Sequence, residues 1–208
     1  MSSIPLIFLL LFIQDAFTRF SFCHAASRRT YENQCVDLNS QGSGEVRLKP
    51  RGAEETKTTI EMSPQGQARF LSLLAATNYL ADGANYESKR KVADLGFKRL
   101  VIDMPAGRRE AVFNFSTIKE VNDLATFFDA LINQETLVAD INTAMQFDRL
   151  SMPKRLEQLE NELRANRIGD PRRLIPLLEK IEGDARVVNF ARTHAGRLKQ
   201  QIAAPVSK

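Results

Sequence analysis

KRLVIDMPAGRREAVFNFS, Lys98 to Ser116, alternates apolar and polar residues on both sides of a turn signal. Leu100, Ile102 and Met104 precede the signal, and Ala111, Phe113 and Phe115 follow it. Period-two alternation marks a half-buried strand, and two such runs around a turn mark a β-hairpin. Pro105-Ala106-Gly107-Arg108 supplies the reversal, because proline presets φ and glycine accepts a positive one. A four-residue loop places Ile102 opposite Ala111 and Leu100 opposite Phe113 on one face, with Asp103 facing Glu110 on the other. That register is the expectation, since a slip of one residue would carry the whole apolar set into water.

Working outward, "EVRLKP" (Glu45 to Pro50) and "KTTIEM" (Lys57 to Met62) read as a first hairpin. Ser63-Pro64 then opens a helix running to about Leu80, an N-cap followed by proline at the first helical position. Phe70, Leu73, Leu74 and Thr77 form its apolar face. After Ser116, Thr117 and Glu120 fit a capping box, and Ile118, Val121, Leu124, Phe128 and Leu131 recur at helical spacing. The expected fold class is α+β: a small antiparallel sheet of two hairpins with two helices on one face, followed by a C-terminal helical extension.

The extension is punctuated by its own starts and stops. One helix is expected from Gln134 to about Phe147 and another from Pro153 to Arg167. Asp170-Pro171 repeats the cap-plus-proline start, Gly183 is a stop and Asp184 a new cap, which makes Asp170 to Ala203 an αα-hairpin. Leu174, Leu177, Leu178, Ile181, Val187, Val188, Phe190, Ala191, Leu198 and Ile202 exceed what two helices bury against each other. The hairpin is therefore expected to dock, with Phe190 among its buried residues.

The ten apolar residues Ile4 to Ile13 are too few to span a bilayer, and small residues at Ala25 and Ala26 fit a cleavage site. The expected organisation is a signal peptide over 1–25, a flexible leader over 26–44, an α+β domain over 45–133 and the helical extension over 134–204. The protein is expected to be exported, periplasmic or secreted, with no integral membrane segment after processing. Loss of the leader would leave Cys35 and His194 as the remaining cysteine and histidine, without an intramolecular disulfide.

This supply of residues decides against most chemistry. Zinc sites recruit several His and Cys ligands, and H-E-x-x-H, C-x-x-C, the P-loop and G-x-G-x-x-G are absent. No catalytic residue, metal ligand or cofactor is assigned. His194, mid-helix between Arg192 and Arg197, reads as exposed or locally satisfied. The formal charge of +4 is uneven: Ala26 to Asp148 holds 15 basic and 17 acidic residues, Arg149 to Lys208 13 and 7. The two signs are interspersed along helical patterns, the pattern of a solvated surface rather than of a nucleic-acid stripe.

What remains is a binding surface. The segment "ADGANYESKRKVADLG", Ala81 to Gly96, is longer than most connections, and Lys89, Arg90 and Lys91 with Tyr86 are the residues there suited to an acidic partner. Arg108 and Arg109 at the hairpin turn complete the candidate set. The expected function is a non-enzymatic interaction protein whose partner is another protein, not nucleic acid. The alternative is a hydrolase using Asp82, Glu87 and Asp94 of the same loop.

Over Glu45 to Ile132, "TIEMSPQGQARFLSLL" and "KRLVIDMPAGRREAVFNFS" with the helix after it resemble the emfourin-type inhibitors of thermolysin-like metalloproteases. The resemblance implies a non-enzymatic protein that blocks a protease through its sheet side or loops, and it assigns no inhibitory residue. "IGDPRRLIPLLEKIEGDARVVNFARTHAGRL", residues 168–198, looks like one HEAT-type helical repeat. Otherwise the chain is similar in style to exported bacterial proteins.

Overall fold

Phe20 and Phe22 alternate with Ser21 and Cys23, and the segment that carries them is a strand. The computed structural model describes residues 17–25, 30–90, 92–94 and 96–204. Its first strand, β1 (Arg19–Ala25), is followed by β2 (Tyr31–Leu38), β3 (Ser43–Pro50), β4 (Thr56–Glu61) and helix α1 (Pro64–Ala76). Then come β5 (Phe97–Met104), β6 (Gly107–Phe113) and four further helices, α2 (Lys119–Phe147), α3 (Met152–Arg164), α4 (Ile175–Gly183) and α5 (Asn189–Ala203). The class is α+β. The strands make one antiparallel open sheet in the order β4-β3-β2-β1-β5-β6.

Among the described residues six strands replace the expected four, and the two additions lie in the middle. Arg19–Ala25, read from sequence as the end of a leader, pairs with β2 on one side and β5 on the other. A cut after Ala25 would take this strand out of the sheet. Tyr31–Leu38, read as flexible leader, is β2. Residues 1–16, the apolar run among them, and Ala26 lie outside the described residues.

One face of the sheet is apolar: Phe20, Phe22, Val36, Leu38, Val46, Ile60, Leu100, Ile102, Ala111 and Phe113 are buried in a single cluster. Phe70 and Leu74 of α1 and Val121, Leu124, Phe128 and Leu131 of α2 cover it. Phe128 stacks on Phe20 at 4.9 Å and on Phe22 at 5.5 Å, and Phe70 meets Phe20 edge-on at 5.2 Å. Each buried Phe, Leu, Ile or Val among them stabilises the fold by about 1.5–3 kcal/mol, with about 0.5–1.5 kcal/mol more for each ring pair. β1 thus brings the centre of the core.

Helix α2 has 29 residues, where two helices were expected to meet at Asn133 and Gln134. Its length, about 43 Å at 1.5 Å per residue, lets it serve two cores. Ile132 is the last of its residues in the sheet cluster, and Leu137 the first in a second cluster with Met152, Leu156, Leu159, Ile168, Leu174, Leu178, Ile181, Val187, Ala191, Ala195 and Leu198. The changeover between the two cores thus falls between Ile132 and Leu137, within one continuous helix. The expected capping box is also absent. Ile118 is the N-cap residue without a side-chain bond, and the Ser116 hydroxyl instead accepts from the Ile118 N–H at 3.2 Å.

The β5–β6 hairpin keeps its faces but not its expected register. Leu100 is opposite Ala111, Ile102 opposite Arg109 and Met104 opposite Gly107, so Pro105 and Ala106 alone form the loop. This register differs from the expected one by two residues, which leaves every side chain on its face. It also replaces the like-charge facing pair by Asp103 opposite Arg108. Gly107, at φ 122°, supplies backbone that other residues rarely adopt.

The C-terminal hairpin docks as expected, but Phe190 is 71% exposed and Ala191, His194, Ala195 and Leu198 carry the buried face of α5. Among the described residues, no helix is long and apolar enough to cross a membrane.

Candidate functional site: the open face of the sheet

Alternation puts the other half of each strand on the face that no helix among the described residues covers. Pairing aligns Lys57, Arg47, Cys35, Cys23, Arg99 and Val112 in one row across all six strands. In the next row lie Thr59, Glu45, Asp37, Ser21, Val101 and Glu110. Arg19, Asp103 and Arg108 begin a third.

The centre of this face is a disulfide. Cys23 and Cys35 are directly opposite on β1 and β2, with Cα atoms 4.1 Å apart, and their sulfurs are bonded. The expectation of an unpaired Cys35 is thus corrected, and the reason is the strand status of 19–25. Cys35 is buried and Cys23 is half-buried. Around them is a depression of about 290 Å³ lined by Arg19, Arg47, Arg99 and Arg108 with Asp103.

Carboxylates set behind the guanidinium groups orient them. Asp37 accepts from Arg19 Nε and Nη2 at 3.2 and 2.6 Å through one oxygen, and from Arg47 Nε and Nη2 at 3.2 and 2.5 Å through the other. Glu110 receives Arg99 Nε and Nη2 at 2.8 and 3.1 Å, and Arg108 lies 3.8 Å away. Burial raises the pKa of the Asp37 carboxyl, but hydrogen bonds from Arg19, Ser21 and Arg47 outweigh it and hold the group below the usual range. The hydrogen bond from Arg99 likewise lowers Glu110. Arg19, Arg47 and Arg99 each spend Nε and Nη2 in this way, and among the described residues Nη1 of each makes no hydrogen bond. A fork held on one edge and free on the other is pre-organised to receive a second carboxylate.

Of the residues expected from sequence, Arg108 belongs to this rim. Arg109 points to the other side of β6, where its Nη1 donates to the carbonyls of Asn78 and Tyr79 at 3.1 and 3.0 Å. Asn78, Tyr79 and Leu80 all have positive φ, between 50° and 59°. Such backbone costs about 1–2 kcal/mol per residue, and Arg109 pins it. Tyr86 is 4% exposed and donates its hydroxyl to the Thr77 carbonyl at 3.2 Å, so it is core rather than contact surface. Burial raises its phenol pKa. Lys89 and Arg90 are exposed, and Lys91 lies outside the described residues.

Two acids of the 81–96 loop are hydrogen-bonded, Glu87 accepting the Asn114 N–H at 2.7 Å and Asp94 the Gly96 N–H at 3.0 Å, while Asp82 precedes a short 3-10 turn without a side-chain bond to it. Among the described residues no three His, Cys, Asp or Glu side chains group to hold a metal ion. His194 is satisfied by Glu160, 2.9 Å from its Nε2.

Arg19, Arg47 and Arg99 escaped sequence reasoning because their meeting depends on strand order. The signal available was the alternation of Arg19, Ser21 and Cys23 with Phe20, Phe22 and His24. No protein-family model matches the chain, and no curated protein matches it.

Proposed function

We propose that this is an exported, non-enzymatic binding protein whose open sheet face receives an acidic segment of another protein. The observation that carries the reading is the arrangement of Arg19, Arg47, Arg99 and Arg108, which are held by Asp37 and Glu110 and line a common depression. Carboxylates of a partner match that donor set in charge and in fork geometry. A strand-built floor also gives such a site rigidity, which lowers the entropic cost of binding.

Export is supported by the Cys23–Cys35 disulfide, since such bonds persist in oxidising compartments. Any processing that precedes folding ends before Phe17 in this reading, because Phe17 and Phe20 are at most 1% exposed. An emfourin-like inhibitor acting through its sheet side is one form that such a binding protein takes. Nothing about Asp82, Glu87 and Asp94 favours the hydrolase reading over it.

The test is fluorescence anisotropy of labelled hexaglutamate and hexalysine peptides with the oxidised protein at low salt. Hexaglutamate alone is expected to bind, and Arg99→Gln with Arg108→Gln to weaken it about tenfold or more at unchanged melting temperature. Equal binding of both peptides, or glutamate binding indifferent to the two substitutions, overturns the reading.

A further inference from the structure

The Cys23–Cys35 bond lies on the solvent-facing side of the sheet, in the floor of the arginine-lined depression, rather than in either core. It is not needed to set strand order. β1 pairs with β2 through six positions from Phe20↔Leu38 to Ala25↔Asn33, and Phe20 and Phe22 anchor β1 from the opposite face. The bond joins residues 12 apart whose strands are already held by the ladder.

We propose that this disulfide is a thiol–disulfide exchange centre for small thiols that carry carboxylates, with Cys23 the sulfur that is attacked. Cys23 is half-buried and Cys35 only 2% exposed, so an incoming thiolate reaches Cys23 first. Attack forms a bond between the incoming sulfur and Cys23 Sγ, and the electron pair of the broken Cys23–Cys35 bond leaves on Cys35 as a thiolate. A second equivalent of the same thiol then attacks the mixed disulfide at the small-molecule sulfur. It departs as the oxidised dimer and leaves Cys23 as a thiolate, the two thiols having supplied both electrons and their protons.

Two features of the face favour this path. Arg47 is the cross-strand neighbour of Cys35 and Arg99 that of Cys23, and both arginines line the same depression as the two cysteines, so the positive charge there favours the thiolate form. The unspent Nη1 edges of Arg19, Arg47 and Arg99 provide carboxylate recognition beside the bond. Asp37, Glu45, Glu61, Asp103 and Glu110 are the opposing charges of the face, and only Asp103 among them lines the depression.

The proposal rests on the same arginine rim as the binding reading, yet it fails separately, because hexaglutamate binding is measured on the same samples. Oxidised protein is treated with glutathione or glutathione diethyl ester, which share a thiol and differ in two carboxylates. The mixed disulfide is trapped by alkylation and mapped by mass spectrometry. Glutathione is expected on Cys23, forming about tenfold faster than the ester adduct, with that preference lost in Arg99→Gln. The reduced protein is expected to keep its sheet by far-UV circular dichroism. Adduct on Cys35, equal rates for the two thiols in the wild type, or a bond that opens only in denaturant would each overturn the proposal. Retained hexaglutamate binding in any of those cases leaves the binding reading standing.

Discussion

Asp170 closes the start of the helix that Ser63 begins, 107 residues earlier in the chain. One carboxylate oxygen accepts the Ser63 N–H and the other the Ser63 hydroxyl, both at 2.6 Å. The same hydroxyl accepts the Gly66 N–H at 3.1 Å as the N-cap of α1. Asp170 is 1% exposed, and its backbone is clasped by Gln134, whose amide both donates to the Asp170 carbonyl and accepts its N–H. The seam thus fastens the helical extension to the sheet layer by charge-assisted bonds at a helix N-terminus, where negative charge is favoured.

Replacing Asp170 by Ala should therefore cost about 3–6 kcal/mol, since it loses two bonds to a buried charged group, each worth about 1.5–3 kcal/mol. Gly66→Ala gives a sign test. In most helices the change stabilises by about 0.5–1 kcal/mol, but here the new Cβ would lie 2.3 Å from the Asp170 carboxylate. Urea denaturation should show both variants destabilised, and a stabilised Gly66→Ala would contradict the seam.

Phe190 and Leu198 separate the exposed from the buried side of α5. Phe190→Asp should change stability by about 0.5 kcal/mol or less, because the ring is 71% exposed. Leu198→Ala, at a fully buried position, should cost about 2–5 kcal/mol. Thermal melts of the two variants decide it, and a reversed order would mean that α5 presents its other face to the bundle.

Acid should find Asp37. Its folded pKa lies below the ordinary carboxylate value, against the effect of burial, because Arg19, Ser21 and Arg47 donate to it. A carboxyl of this kind adds stability that is fully present above its unfolded value, about 3.9, and lost as pH falls through the lower folded value. Urea midpoints from pH 5 to pH 2 should fall more steeply for the wild type than for Asp37→Asn below about pH 4. Parallel curves would remove Asp37 from the account.

The place of β1 is tested by where a chain is made to start. A protein beginning at Phe17 should unfold cooperatively on heating, with the near-UV signal of a packed core. One beginning at Ala26 should not, having lost Phe20, Phe22 and the pairing partner of both β2 and β5. Cooperative folding of the shorter chain would show that the sheet closes without its central strand.

The legible parts of this fold were those with local chemistry. Ser63-Pro64 capped a helix, the alternation of Leu100, Ile102, Ala111 and Phe113 marked a hairpin, and the apolar stripe of Val121, Leu124, Phe128 and Leu131 faced the core. Alternation has period two, so it assigns faces and is blind to a shift of two residues; hence the hairpin register was missed. β1 was absorbed into the apolar segment before it, and β2 has few apolar residues, Gln34, Val36 and Leu38 making up its inner side. The break expected at Gln134 reflects a polar residue in an apolar stripe. Gln134 is wholly buried, and its partner Asp170 is 36 residues away. The arginine rim was hidden for the same reason: it is made by strand neighbours remote in sequence.

The central claim is that carboxylates are received on the arginine-lined face of the sheet, and the most direct measurement maps where they land. Titration of hexaglutamate into isotope-labelled oxidised protein, followed by NMR of backbone amides and arginine side chains, should shift Arg19, Arg47, Arg99 and Arg108 together with their strand neighbours Ser21, Cys23 and Cys35. Shifts confined to Lys89 and Arg90 or to the helical extension, with the sheet face silent, would contradict it.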